Sequence, residues 1–438
     1  MSLQGKETKK LFEKARQYLP HGVSSNFRYW SDDDNLVIAK GEGTYIWDAD
    51  GKRYIDYRLG FGPIILGHAY PQVVDKVNEA IKEGTTFAWT TPLEITVAEK
   101  ITKMCNIDMV RMTNTGTEAT MHALRIARAY TNREKFIKFD GQYHGQADYF
   151  MYNTASSKKR SLGSDRSPII VPVTSGIPKG INEYVYSIPY NNVERLEETI
   201  EAHWGDIAAV FLEPIMGNVN GILAEKEFLA KLRELCTKYG IILVFDEVKT
   251  GFRIAKGGAQ EYYGVQADVV TYAKSMGNGF PVAAIGGKKD IMMNIGPGKT
   301  AHGGTFSANS VGMAAADATL DLLESEPVLE TINKRGQALM DGIDEILGRS
   351  GIPYSVHGAP SMFGFSLGSS EAPRNWREYT ERDTDLYEEI SMELSRTGVQ
   401  PDADGMEPWF LCYSLSEEDV AETLTKFEDA VAKVKGQH

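Results

Sequence analysis

The stretch IILVFDEVKTGFR, residues 241–253, and the run ADVVTYAKSMGNGFPVAAIGG, residues 267–287, decide the fold. Ile241 to Phe245 are five consecutive apolar residues, the pattern of a parallel strand covered on both faces. Asp246 then falls near the carboxyl end of that strand, the edge at which open α/β sheets place their ligands. A carboxylate there needs a cationic or hydrogen-bonding partner, because desolvating it alone is costly. Val269 to Ala273 form a second run, apolar but for Thr271, that delivers Lys274, and Gly277, Gly279 and Pro281 break the chain directly after it. An amine in that position is a candidate nucleophile. An ordinary buried ion pair between Asp246 and Lys274 is the competing explanation.

Outward from this stretch, short apolar runs alternate with helical patterns from Asp108 to about Ser325, the signature of an α/β domain with a largely parallel sheet. Strands are predicted at DMVRMT, KFIKF, IAAVFLEP, IILVFDE, DVVTYAK and AAIGG. Helices are predicted at GTEATMHALRIARAY, EKEFLAKLRELCTKYG and SANSVGMAAADATLDLLE. Toward the N-terminus, residues 6–18 and the segment PQVVDKVNEAIKEG read as amphipathic helices. Between them, TYIWDADGKRYIDY reads as a hairpin turning at Asp50-Gly51. Beyond residue 325 a helix at 329–349, strands YSVHG and SMFGFSL, helix DLYEEISMELSRTG, strand WFLCYSL and a last helix should join that hairpin. The expected division is an N-terminal segment over 1–70 that contributes to a small α+β domain, a large α/β domain over 71–325, and the rest of the small domain over 326–438. The polar, Gly- and Pro-broken segment between Ser156 and Gly180 is long for a structureless connection and is a candidate lid or a surface excursion.

A chain of 438 residues with formal net charge −13 carries no basic field that would hold nucleic acid or an anionic membrane. Cys105, Cys236 and Cys412, the three cysteines, lack metal-ligand spacing and read as buried thiols of a cytoplasmic protein. Neither a signal peptide nor a membrane-length apolar run is expected.

Four further stretches carry chemistry. TNTGTEATMHAL places Gly116 and Thr117 at the start of a helix, where unpaired backbone amides suit a phosphate, although ordinary capping explains the same residues. DGQYHG puts Tyr143 and His144 in a loop after a strand, where an aromatic ring could stack on a planar ligand. FLEPIMGNVNG offers Glu213, Asn218 and Asn220, and HGGTFSAN offers Thr305. A phosphate cradle, a stacking ring, a carboxylate and a reactive lysine are together the parts that pyridoxal 5'-phosphate needs.

The string DEVKTGFR followed by YAKSMGNGFPVAAIGG resembles the signature of class III pyridoxal-phosphate aminotransferases. Within that class TNTGTEATMHALRIAR, KFDGQYHGQAD, EPIMGNVN, GAQEYYGV and GGTFSAN are most similar to the glutamate-1-semialdehyde aminomutases. The resemblance implies a type I aminotransferase fold with a mostly parallel seven-stranded sheet and a homodimer with shared active sites. It implies amino-group transfer on a small amino acid or amino aldehyde, by isomerisation of glutamate 1-semialdehyde or, alternatively, by transfer between two substrates. Carried over by motif, Lys274 is the Schiff-base lysine and Asp246 the partner of the pyridine nitrogen. Gly116 and Thr117 hold the phosphate, Tyr143 stacks on the ring with His144 beside it, Asn218 binds the phenolic oxygen, and Thr305 reaches the phosphate of the neighbouring subunit. Ser25, Arg28 and Glu407 face substrate, with Asn26 and Phe27 in place of the usual Pro-Val. A remote competitor is a P-loop nucleotide hydrolase, since NIGPGKT at 294–300 ends like a Walker A loop, but Met293 stands where its first glycine belongs.

Overall fold

Seven apolar runs become the strands of one sheet in the computed structural model, which describes residues 2–436. In chain order they are β1 Met109–Thr113, β2 Lys135–Phe139, β3 Val185–Ile188, β4 Ile207–Leu212, β5 Ile242–Glu247, β6 Val269–Tyr272 and β7 Ala283–Gly287. Their spatial order is β1-β7-β6-β5-β4-β2-β3. All neighbours run parallel except β7, which is antiparallel to both β6 and β1. Every residue of β4, β5, β6 and β7 is buried, as expected of strands covered on both faces.

Six of these strands are those expected from the sequence. The seventh, β3, occupies the sheet edge within EYVYSIPY and is short, with Val185, Ser187 and Ile188 buried and Tyr186 partly covered.

Helix Gly116–Thr131 lies on one face of the sheet, against β4, β6 and β7. Its Ala119, Ala123, Ile126 and Ala127 form one buried stripe at helical spacing and share a core cluster with Phe211, Val244, Val269 and Ile285. Each large apolar side chain in that cluster contributes roughly 1.5–3 kcal/mol relative to exposure. On the chain's other core cluster, helix Ser310–Ser325 packs against helices Pro71–Glu83 and Pro92–Cys105. Burial pushes the thiols of Cys236 and Cys412 up to about 12 and 11 respectively, and Cys105 higher, so all three are protonated core residues.

The two ends of the chain meet in a separate sheet. The hairpin Tyr45–Asp48 with Arg53–Asp56 forms as expected, and Val399–Gln400 pairs parallel to its second strand. A further sheet joins Tyr354–Ala359, Met362–Leu367 and Trp409–Phe410. The expected strand WFLCYSL is therefore only two residues long. Past Phe410 the backbone turns to other acceptors, with Leu411 N donating to Ser361 O, Tyr413 N to Ile65 O and Ser414 N to Leu66 O.

The segment 156–180 is not a structureless excursion. It holds the short ladder of Gly163–Ser164 with Ser167–Pro168, and Leu162 just before it is fully buried. Arg377 ties it down, donating to Gly163 O at 2.7 Å and Leu162 O at 3.1 Å while its Nε donates to Asp140 at 2.8 Å. The Walker-like segment 294–300 follows the four-residue helix Lys289–Met292, and no helix begins until Ser310. It is not a strand-to-helix phosphate loop. Among the described residues no helix is long and apolar enough to cross a membrane.

Candidate active site

The carboxyl ends of β5 and β6 deliver Asp246 and Lys274 to one cavity of about 150 Å³. They do not pair with each other. Asp246 Oδ1 accepts from Val248 N at 3.1 Å and from Thr271 Oγ1 at 3.0 Å, and Oδ2 lies 2.7 Å from His144 Nδ1. Burial depresses the imidazole pKa against the opposing pull of Asp246. A neutral ring facing an acceptor carries its proton on Nδ1. His144 Nε2 is then a buried atom without a hydrogen-bond partner.

Lys274 starts a one-turn helix directly after β6 with φ of 47°, a left-handed conformation that costs a non-glycine residue roughly 1–3 kcal/mol. Its Nζ donates to Phe61 O at 3.1 Å. Burial, followed by the charge of Lys249, draws its pKa down to about 7, against the opposing carboxylates of Glu407, Glu213 and Asp246. Near neutral pH a large fraction of this amine is uncharged and nucleophilic.

The same cavity is bounded by the start of helix Gly116–Thr131. Thr115 caps the helix, its Oγ1 accepting from Glu118 N at 3.2 Å while Glu118 accepts from Thr115 N at 3.1 Å and Asn114 N at 2.7 Å. The Thr115 oxygen accepts in the cap, and the first-turn amides of Gly116 and Thr117 are left as donors at the cavity. Gly145, with φ of 92°, lets the preceding loop press against this turn, because a Cβ there would lie 2.6 Å from Thr117 Oγ1.

That loop carries Tyr143, whose backbone N donates to Glu213 Oε1 at 2.6 Å and whose hydroxyl accepts from Gln146 Nε2 at 2.8 Å. Phe27 packs edge-on against its ring at a 5.6 Å centroid distance. Glu213, raised to about 7 by burial and by Asp246, also accepts from Gly217 N at 2.9 Å. Asn218 presents Oδ1 to Lys249 Nζ at 3.1 Å, leaving a buried Nδ2 with no partner.

A wider cavity of about 870 Å³ opens from Tyr143 and Asn218 and is lined by Ser25, Phe27, Arg58, Asp402 and Glu407 among others. Ser25 and Glu407 both line this cavity, and Glu407 is in an ion pair with Lys249. Arg28 is exposed and lines neither cavity. The arginine in the wall is Arg58. Its Nε is 2.8 Å from Asp402 Oδ2, its Nη2 donates to Phe27 O at 2.6 Å, and its guanidinium lies 4.4 Å from the Phe61 ring centroid. Thr305 is exposed in a loop and faces neither cavity of its own chain. Ser156 and Thr174, both within the expected lid, form part of the outer wall.

Lys249, Arg58 and the His144–Asp246 contact were not singled out in sequence. Lys249 had a signal, since a lysine three residues after a buried strand-end aspartate has few places to go. Arg58 had none, because its position depends on a contact with Asp402, far away in the sequence.

The donor set fits pyridoxal phosphate. A helix N-terminus with open amides, a buried amide NH2 lacking an acceptor, a carboxylate at one strand end and a largely neutral amine at the next surround a single cavity.

Comparison with known proteins gives the same picture. The class-III aminotransferase family profile matches residues 28–431. The chain is 39% identical to a glutamate-1-semialdehyde 2,1-aminomutase of Methanopyrus kandleri, over 98% of each chain. It is 40% identical to one of Clostridium acetobutylicum, over 97% of this chain and 99% of that one. Among solved structures, an omega-transaminase from Sphaerobacter thermophilus superimposes with a TM-score of 0.93 at 32% identity, covering 99% of this chain and 98% of the other.

Proposed function

The chain belongs to the class-III aminotransferases, and from that membership we propose that it catalyses amino-group transfer of the glutamate-1-semialdehyde 2,1-aminomutase type, converting glutamate 1-semialdehyde to 5-aminolevulinate. The observation that carries the chemistry is Lys274, an amine drawn to about 7 at the strand end beside that of Asp246. Pyridoxal phosphate, when bound, supplies an aldehyde that condenses with amino groups and a protonated ring that takes up an electron pair.

The chain's own residues do the rest. Lys274 would be the point of attachment, and its Nζ, when free, would take a proton from the substrate carbon and return it as general base and acid. Asp246, its oxygens fixed by His144, Thr271 and Val248, would hold the proton on the ring nitrogen. Gly116 and Thr117 would take the phosphate, Tyr143 the ring face and Asn218 Nδ2 the phenolic oxygen. Ser25 and Glu407 would face substrate, whereas Arg28, exposed and outside both cavities, would not. Thr305, exposed in the single chain, would complete the phosphate site of a second subunit in a cytoplasmic homodimer.

A second reading, transfer between two separate substrates, is favoured by the engagement of Glu407 with Lys249, which leaves that carboxylate unavailable to a substrate amine. Incubation of the purified enzyme with glutamate 1-semialdehyde and no amino acceptor separates the two. Accumulation of 5-aminolevulinate supports isomerisation. No product there, with brisk transfer from an amine to a keto acid, overturns it in favour of the second reading.

A further inference from the structure

We propose that Lys249 is a positioning residue of this site: it fixes the Asn218 amide with its NH2 toward the cofactor cavity and holds the Glu407 carboxylate away from Lys274. The inference rests on the function proposed above.

Lys249 follows Asp246 by three residues and its side chain is 6% exposed, inside the wall rather than on the surface. Its ammonium meets three acceptors: Gly217 O at 2.5 Å, Asn218 Oδ1 at 3.1 Å and Glu407. An ammonium has three protons and no lone pair, so its donors are fully used and only an oxygen can face it. That settles the Asn218 amide, whose two ends are otherwise nearly interchangeable. With Oδ1 committed, Nδ2 is buried and unpartnered at the cavity. The stem is equally fitted. A Cβ on Gly217 would lie 2.2 Å from Lys249 Cδ, so the lysine passes where only glycine leaves room.

Lys249 and Glu407 also bias the reactive amine. Four charged groups act on Lys274: Lys249, which opposes its protonation, and Glu407, Glu213 and Asp246, which favour it. Glu407 has the nearer alternative in Lys249 and is held there. A methionine at 249 would release both restraints, letting the amide rotate and freeing an anion beside Lys274.

The test uses opposite signs. In protein stripped of cofactor, Lys274 is modified with a small acylating reagent across pH and the rate is read by peptide mass spectrometry. The midpoint in K249M should rise by about one pH unit, so that modification below it is about tenfold slower. In E407Q, which keeps the Lys249 charge, the midpoint should fall. In the loaded protein, the pH midpoint of the cofactor's visible band should move in both K249M and N218A, and the double variant should move no further than the larger single one. An unchanged midpoint in K249M, a shift of the same sign as in E407Q, or additive shifts with N218A would overturn the proposal. If K249M does not fold, E407Q and N218A still decide, since an E407Q midpoint that fails to fall overturns it alone. Failure of the cofactor to attach at Lys274 in the unmodified protein would instead sink the proposed function, leaving the cofactor-free titration intact.

Discussion

His144 Nδ1 and Asp246 Oδ2 lie 2.7 Å apart with both side chains buried, so the aspartate is oriented by a neutral imidazole rather than by a cation. Removing the ring leaves a buried carboxylate short of a donor, a loss of about 1–3 kcal/mol or more for a charged group. In H144A the cofactor should dissociate roughly tenfold or more readily, as read by equilibrium dialysis. D246N, which keeps the shape and loses the charge, should bind cofactor but slow turnover by about 10²–10³. Unaltered turnover in D246N would remove the carboxylate from the mechanism.

Lys274 gives the reaction its pH dependence. Its pKa is drawn down to about 7, so the neutral amine needed to accept a proton accumulates as pH rises through that value. The rate of the first half-reaction, followed by stopped-flow absorbance, should rise with pH through about 7. K274A should lose about 10²–10⁴ in that rate and all borohydride-trapped cofactor at this position. The stability sign follows from the same group. Between about pH 7 and the ordinary lysine value the unfolded chain binds this proton and the folded chain does not, so stability should rise with pH in that window. K274M should flatten that rise in a denaturant titration series.

Gly145 is the narrowest point of the phosphate cradle. Its φ of 92° and the 2.6 Å approach of a built Cβ to Thr117 Oγ1 leave no room for a side chain. G145A should cost about 1–3 kcal/mol through backbone strain alone and should spread the loop from the helix start. Thermal unfolding with and without cofactor measures both effects. The cofactor-dependent rise in melting temperature should shrink in G145A more than the cofactor-free melting temperature falls.

Legibility in sequence followed chain-local physics. The buried strands of the sheet centre showed as continuous apolar runs, and the cradle showed because a helix start with Gly and Thr is a local pattern. What stayed hidden depended on where the chain folds back. The Lys249–Glu407 pair joins positions 158 residues apart, and Arg58 reaches Asp402 from the far end of the chain. Edge strand β3 escaped because it is only 4 residues long and its apolar pattern is broken by Ser187. WFLCYSL misled because apolar residues there are buried by loop contacts rather than by a ladder.

The wall of the larger cavity offers the last prediction. Arg58 is the arginine that lines it, whereas Arg28 points its exposed side chain elsewhere. Asp402 and Asp404 act on Arg58 and Glu388 lines the same cavity, with Asp402 pushed up to about 6 by burial. Replacing Arg58 by Met removes the cation and leaves these carboxylates uncompensated, so the cavity becomes more negative. The KM for an anionic substrate should rise by about tenfold, an electrostatic change on the order of 1.4 kcal/mol, while kcat changes little because Lys274 and Asp246 are untouched. Added salt should narrow the difference between R58M and the unmodified enzyme, since screening weakens the repulsion. R28M should change KM by less than about threefold in the same assay, as expected for an exposed charge. A larger effect at Arg28 than at Arg58 would place the contact with the anionic substrate at Arg28 instead.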